Sequence, residues 1–368
     1  MPENQDRTSI PLKRVIGLPT SILLVAGIMI GSGVFKKIAP MSQSLMSEPY
    51  ILLVWIVAGI ITIFGAFTYG GLASMTNETG GIYEYLRLIY GEFTAFLLGW
   101  TYFTIVGCGS IAALANVFSQ SADALFNFPV LLPALKDFNI ANFIFPFRGL
   151  SIKILAISMI FLLTWINVRG VKNAGILNNV VTTAKILGIL LLIIAGVFYT
   201  GEPANMLLDD HGFHPLTGVA LFSGFFGALL SALWAYDGWA NITFVTGGIR
   251  NPERNLPFAI VGGVGIATLL YVLLNYFYMR VYSVQQLASI PEHKIAAAVV
   301  SETLFGKAGA SLIAALILTC TFGALNGCII AYPRITFRMA QEKVFFRKAA
   351  FVHPVFNTPY IALIYSCV

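Results

Sequence analysis

The residues of this 368-residue chain that can do chemistry are small or charged groups set where an apolar helix should run without interruption. Gly31, Ser32 and Gly33 fall near the middle of the apolar stretch Leu23–Phe35, which reads LLVAGIMIGSGVF. Glycine weakens a helix by about 1 kcal/mol relative to alanine, so the triplet invites unwinding. Unwound backbone deep in hydrocarbon is tolerated only where it is buried in protein or lines a cavity. Opened here, the three N–H groups lose their intrahelical partners. Helped by the dipole of the half-helix beginning at Val34, they can hydrogen-bond a carboxylate. The alternative is a helix-packing face, since small residues let membrane helices approach closely. The spacing is GxG rather than GxxxG, which favours the binding reading.

A second group lies in LWAYDGWAN. Trp234, Ala235, Tyr236, Asp237 and Gly238 would form a facing break, whose freed carbonyls can accept from an ammonium group. Two breaks at one depth offer amides for the carboxylate and carbonyls for the amine of an α-amino acid. Tyr236 and Trp239 could instead be ordinary interfacial aromatics, but their mid-span position argues against it. Asp237 costs about 2.5–3.5 kcal/mol on insertion scales, so it must face protein or water. Staying protonated, pairing with a base, and holding the break open through backbone bonds all remain open for it. Lys185, in VVTTAKILGIL, is a mid-membrane ammonium. It is expected to replace a bound cation, donating to carbonyls of the first span and hydroxyls of the eighth. Snorkelling and an ion pair with Asp237 are the alternatives. Thr319, Thr321 and Asn326 lie in LTCTFGALNGC, with Thr319 placed to face Lys185; such residues often bond only their own helix or a neighbour. His211, His214, His293 and His353 have no metal spacing, and no G-x-S-x-G, P-loop or CxxC pattern occurs. The chain is therefore expected to be no enzyme and to hold no metal or cofactor.

The elements that must position these groups are membrane helices. Hydrophobic residues make up 58% of the chain and charged residues 10%, against about 25% charged in soluble domains; mean hydropathy is +0.82. An ordinary soluble protein is excluded. The polar start, MPENQDRTSIPLKR, and the lack of a small-residue cleavage site mark the first apolar run as a retained span. Runs long enough to cross about 30 Å of hydrocarbon fall at Val15–Ala39, Ile51–Met75, Phe93–Phe118, Ile152–Val168, Ile176–Thr200, Gly218–Thr246, Leu256–Val281 and Gly309–Arg334. A ninth begins near Pro359. With a cytoplasmic N-terminus, thirteen Lys and Arg fall in inside loops and eight outside, and Gly201–Pro215 carries none, as an outside loop should. The net charge of +6 then reflects topology and calls for no nucleic acid. Cys108, Cys320, Cys328 and Cys367 all sit in spans and are read as small hydrophobes.

Gly218–Thr246 would be about 43 Å long as a helix at 1.5 Å per residue, more than one crossing, which supports a break at Asp237–Gly238. Irregular helices at positions one and six suit two five-helix halves and point to a transporter binding site. Asn77–Glu92, NETGGIYEYLRLIYGE, is read as a Gly-Gly turn and a short interfacial helix carrying Ile82, Leu86 and Ile89. Pro252 favours a turn, Pro257 suits the first turn of span seven, and Ser283–Lys307 has room for a short helix outside the membrane. The expected division is a cytoplasmic tail at 1–14, a first five-helix repeat at 15–200, and an incomplete second repeat at 201–368.

Taken together, IGSGVF at Ile30–Phe35, TGGIYEYLRLIYGEF at Thr79–Phe93, WAYDGW at Trp234–Trp239, NPERNLPFAI at Asn251–Ile260, FGALNG at Phe322–Gly327, PRITFRMA at Pro333–Ala340 and HPVFNTPYIA at His353–Ala362 resemble the amino acid–polyamine–organocation superfamily. Within it the chain is most similar to bacterial members of the L-type amino acid transporter family. The resemblance implies an all-α multi-pass membrane protein with a leucine-transporter-like inverted-repeat fold, here with eight full spans and the start of a ninth where the family has twelve. It implies carboxylate binding by the amides of Ser32 and Gly33 and amine binding by the carbonyls of Met29, Trp234 and Asp237. It also implies a gate at Trp234 and Lys185 in a sodium-site position. Transport in that family is typically obligatory exchange, and some relatives are proton-coupled.

The expected function is sodium-independent exchange of a small neutral L-amino acid by alternating access in the lipid bilayer of a bacterial plasma (inner) membrane. Some relatives pair with a glycoprotein through a loop cysteine. Ser121–Leu150 contains no Cys, so no disulfide-linked heavy subunit is expected. Two rivals stand beside this: a proton-coupled symporter titrating at Asp237 or Lys185, and a truncated, non-transporting amino-acid-binding protein.

Overall fold

The computed structural model describes residues 14–76, 78–135, 138–140, 145–199, 217–291 and 294–367. Eight helical stretches among them are long and apolar enough to cross a bilayer: Leu18–Lys36, Glu48–Ala73, Glu92–Phe126, Leu150–Val168, Ala174–Val197, Gly218–Gly248, Pro252–Val281 and Lys307–Gln341. Each overlaps one predicted run, and they are called spans one to eight below. A further helix, Tyr360–Cys367, stands where the ninth was expected. His211, His214, His293 and the loop 201–215 lie outside the described residues, whereas His353 uses Nδ1 to accept the N–H groups of Val355 and Phe356.

Burial is distributed unevenly. The most apolar windows of spans one and eight are 67% and 72% buried, against 17% for span three. Two central helices are thus wrapped by helices whose outer faces present large apolar side chains, among them Phe64, Phe67, Phe161, Leu187, Phe222 and Leu230. Exposed to water such a surface would drive association; facing lipid it is matched. Span one packs against spans five, seven and eight, span seven against span two, and span eight against span three. Span three carries a π-helical turn at Tyr102–Val106, an irregularity common at functional sites. It ends at Gly107, where a Cβ would meet the Tyr102 carbonyl at 2.7 Å.

Span seven begins earlier than the sequence suggested. Its helix starts at Pro252, after Asn251 in a left-handed conformation (φ 45°). Pro252 takes the N-terminal position where its missing N–H costs nothing, and Pro257 falls inside the helix rather than in its first turn. Ser283–Lys307 holds two short helices. Val284–Ala288 is closed by a Ser283–Gln286 capping box, and Ala296–Phe305 follows.

The face assigned to the cytoplasm by charge is tightly tied. The N–H groups of Val15 and Ile16 donate to the Gly248 carbonyl (2.9 and 3.0 Å), and Arg250 N–H donates to Ile16 (2.9 Å). These bonds make an isolated parallel bridge between the start of span one and the end of span six. The expected interfacial helix forms at Ile82–Tyr90. Just before it, the Thr79 hydroxyl and the Gly80 N–H donate to the Phe244 carbonyl. Its buried Glu84 accepts from Arg87 Nη2 (2.7 Å) and from Arg338 Nε (3.1 Å) at the end of span eight. Burial would raise the Glu84 pKa, but the hydrogen bonds and charges of the two guanidinium groups outweigh it and hold the carboxyl below the usual range. Arg338 also reaches Glu78 and Glu342, so one arginine ties span eight to the loop beneath span six.

Candidate functional site

Both expected breaks are present. The helix Leu18–Met29 stops, and helical structure resumes at Gly33–Lys36 and continues over Ile38–Leu45. Between them the Gly31 N–H donates back to the Met29 carbonyl at 2.8 Å, a tight turn about Ile30 (φ −75°, ψ 86°) of the inverse γ kind. This alters the expectation for Gly31, whose amide is spent on the turn. Ser32 and Gly33 lead into the next turn, and the amides of a helix's first turn have no acceptor within it. In span six the helix Gly218–Tyr236 ends at Asp237–Gly238 and resumes as a 3₁₀ segment, Trp239–Gly248. Gly238 has φ 100°, and a Cβ there would lie 2.6 Å from Ile28 Cγ2. Glycine is needed for both conformation and room. Gly33 lets the two breaks approach, since its Cβ would lie 3.0 Å from Ala235 Cβ.

The breaks open onto a cavity of about 330 Å³, within the range of small-molecule sites. Met29, Gly31, Ser32, Gly33, Trp234, Ala235, Asp237 and Gly238 all line it. Span three contributes Gly109, Ser110, Ala113, Leu114 and Val117, and span eight Ala324, Cys328 and Tyr332. Trp234 is 60% exposed, and Lys37 Nζ sits 4.6 Å from the centroid of its ring, a cation–π contact that fixes the indole at the mouth. Tyr102, Phe244 and Tyr332 pack together, with centroids 5.6 to 6.1 Å apart, toward the face closed by the Ile16–Ile249 bridge.

Tyr271 of span seven was missed from sequence. Fully buried, its hydroxyl lies 2.9 Å from the Met29 carbonyl and 3.0 Å from the Ala235 carbonyl, one on each break. Met29, expected to hold an amine, thus has two protein donors, Gly31 and Tyr271. The Trp234 carbonyl takes the Asp237 N–H at 3.3 Å. The signal for Tyr271 was present: a phenol amid apolar residues at mid-span must find an acceptor inside the protein.

Lys185 is fully buried. Its Nζ donates to the carbonyls of Gly27 (2.7 Å), Ile30 (3.0 Å) and Cys320 (3.2 Å). Gly27 and Ile30 lie at the C-terminal end of the first half-helix, where carbonyls lack intrahelical donors and the dipole favours a cation. Span one supplies carbonyls as expected, but the span-eight acceptor is main-chain, not a hydroxyl. Thr319, expected to face Lys185, instead donates to Ala315 one turn back at 2.8 Å; a helix offers threonine that nearby acceptor at no conformational cost. Thr321 likewise bonds Ile317. Asn326 accepts from Asn167 Nδ2 at 2.9 Å, joining span eight to span four.

A family model described as amino acid permease matches residues 16–368. The serine/threonine exchanger SteT of Bacillus subtilis is 33% identical over 354 residues, covering 96% of this chain and 74% of that protein. The b(0,+)-type amino acid transporter 1 of Mus musculus is 28% identical over 96% of this chain and 68% of its own length. The mouse large neutral amino acids transporter small subunit 2 is 30% identical over 97% and 64%. Among solved structures, Mhp1, a nucleobase-cation-symport-1 family transporter in a closed conformation, superposes with a TM-score of 0.57 at 12% identity, covering 99% of this chain and 73% of that one. That likeness carries the fold alone, and it agrees with the leucine-transporter-like architecture that the family resemblance implied. Sequence relationship, fold and paired breaks converge: this multi-pass membrane chain belongs to the amino acid permease family.

Proposed function

We propose that this chain binds a small neutral L-amino acid between the breaks of spans one and six and carries it across the membrane by alternating access, as a sodium-independent exchanger. The observation that carries the reading is that all eight residues named from sequence as the binding set line one cavity. On this reading the Ser32 and Gly33 amides bind the carboxylate and the main chain about Asp237 binds the amine. That polarity suits a zwitterion. The three carbonyl contacts of Lys185 support its reading as a resident substitute for a sodium ion. On this reading residues 15–200 form the first repeat and 201–368 belong to the second. The N-terminus is cytoplasmic, the membrane is a bacterial inner membrane, no bond is made or broken, and no disulfide-linked heavy subunit is needed.

The test is uptake of a labelled neutral amino acid into proteoliposomes of the purified chain. Uptake that requires internal amino acid and is indifferent to sodium is the expected result. Uptake driven by a pH gradient into empty vesicles would make the chain a proton symporter. Binding with no flux would make it a binding protein.

A further inference from the structure

The cavity has a second polar end, built from side chains. Asn241, Cys328 and Tyr332 all line it. Asn241 is 6% exposed and Tyr332 7%. Asn241 Nδ2 donates to the Tyr332 hydroxyl at 3.3 Å, and that hydroxyl also meets the Cys328 thiol. A carboxamide offers two donors and an acceptor oxygen, and a phenol one of each. Asn241 and Cys328 occupy the Tyr332 hydroxyl, which holds the carboxamide in place, so the capacity left for a guest is the second N–H and the oxygen of Asn241. Asn241 stands one turn beyond the acceptor end, its N–H donating to the Gly238 carbonyl at 3.1 Å. Small residues, Gly109, Ala113 and Ala324, line the cavity beside Ser110, Leu114 and Val117, with open space where a Cβ on Gly109 would point. Asn241 lies about 6 Å along the 3₁₀ segment from Gly238, within reach of the side chain of an amino acid gripped by main chain at the two breaks.

We propose that Asn241 and Tyr332 determine specificity, selecting substrates whose short side chain ends in a hydroxyl or carboxamide over aliphatic isosteres. This rests on the amino acid reading of the cavity. A buried polar pair rejects a ligand that leaves it unpaired, because the lost hydrogen bonds are not replaced by water. An aliphatic pocket, in contrast, discriminates only weakly against an added hydroxyl.

L-threonine and L-valine are nearly isosteric and separate the two cases. In competition for uptake and in direct binding to the purified chain, threonine should outcompete valine by roughly 10-fold or more. Tyr332→Phe keeps the ring that packs against Tyr102 and Phe244 and removes one oxygen. It should narrow the ratio to about 3-fold or less, and Asn241→Leu should narrow it further. A wild-type ratio near one, or a ratio unchanged in Tyr332→Phe while that variant still binds, overturns the proposal alone. A panel of twenty amino acids with no binding at all overturns the amino acid reading and this proposal with it.

Discussion

The breaks in spans one and six are made differently. Span one turns on Ile30–Gly31 with negative φ at Ile30 and re-enters an α-helix, so its new end presents amides. Span six turns on Asp237–Gly238 through a left-handed glycine and re-enters a 3₁₀ segment, so its old end presents carbonyls. On the proposed reading, the first break donates to a substrate carboxylate and the second accepts from its amine. The second is also the more constrained, because Gly238 fills a conformational and a steric requirement at once. Polarity comes from which side of a break faces the cavity; the sensitivity of each break comes from the backbone chosen to make it.

The largest effect expected from that difference lies at the glycines. Gly238→Ala combines left-handed strain with a contact of 2.6 Å and should lower uptake by about 100-fold. Gly33→Ala, without the strain and with its nearest contact at 3.0 Å, should cost about 10-fold. Equal losses, measured at matched protein stability, would remove the asymmetry. Next comes Lys185→Ala. It strips the donor from three carbonyls, two of them at the end of the first half-helix, and should reduce exchange by roughly 10–100-fold while changing apparent affinity on one side of the membrane. A wild-type profile on both sides would show that the first break holds without its cation. The smallest effect is expected at Thr319→Val, within about 2-fold of wild type in the same assay, because that hydroxyl serves only its own helix.

Much of this was legible in the sequence because membrane burial makes polar groups conspicuous. Gly31–Gly33, Asp237 and Lys185 stood out against apolar neighbours, and the over-long sixth run pointed to its break. What escaped were contacts made through main chain. A carbonyl carries no signature in a sequence, so Cys320 as a partner of Lys185 could not be read, and a nearby hydroxyl took its place in the expectation. Gly31 was misread in part because its amide closes a turn whose geometry depends on Ile30. The π turn of span three, which is set by backbone register, left no pattern either. Pro257 was taken for a helix start because the helix had already begun on another proline five residues earlier.

Tyr271 has one proton to give and two oxygens to give it to, one on each interrupted span. A guest ammonium that claims the Ala235 oxygen would leave the phenol wholly to Met29, reinforcing the bend that aims Ser32 and Gly33. Occupancy of one site would then be felt at the other through a swivelling O–H. Carboxylate and amine would be sensed jointly, and a molecule carrying only one of them would find the clasp half made.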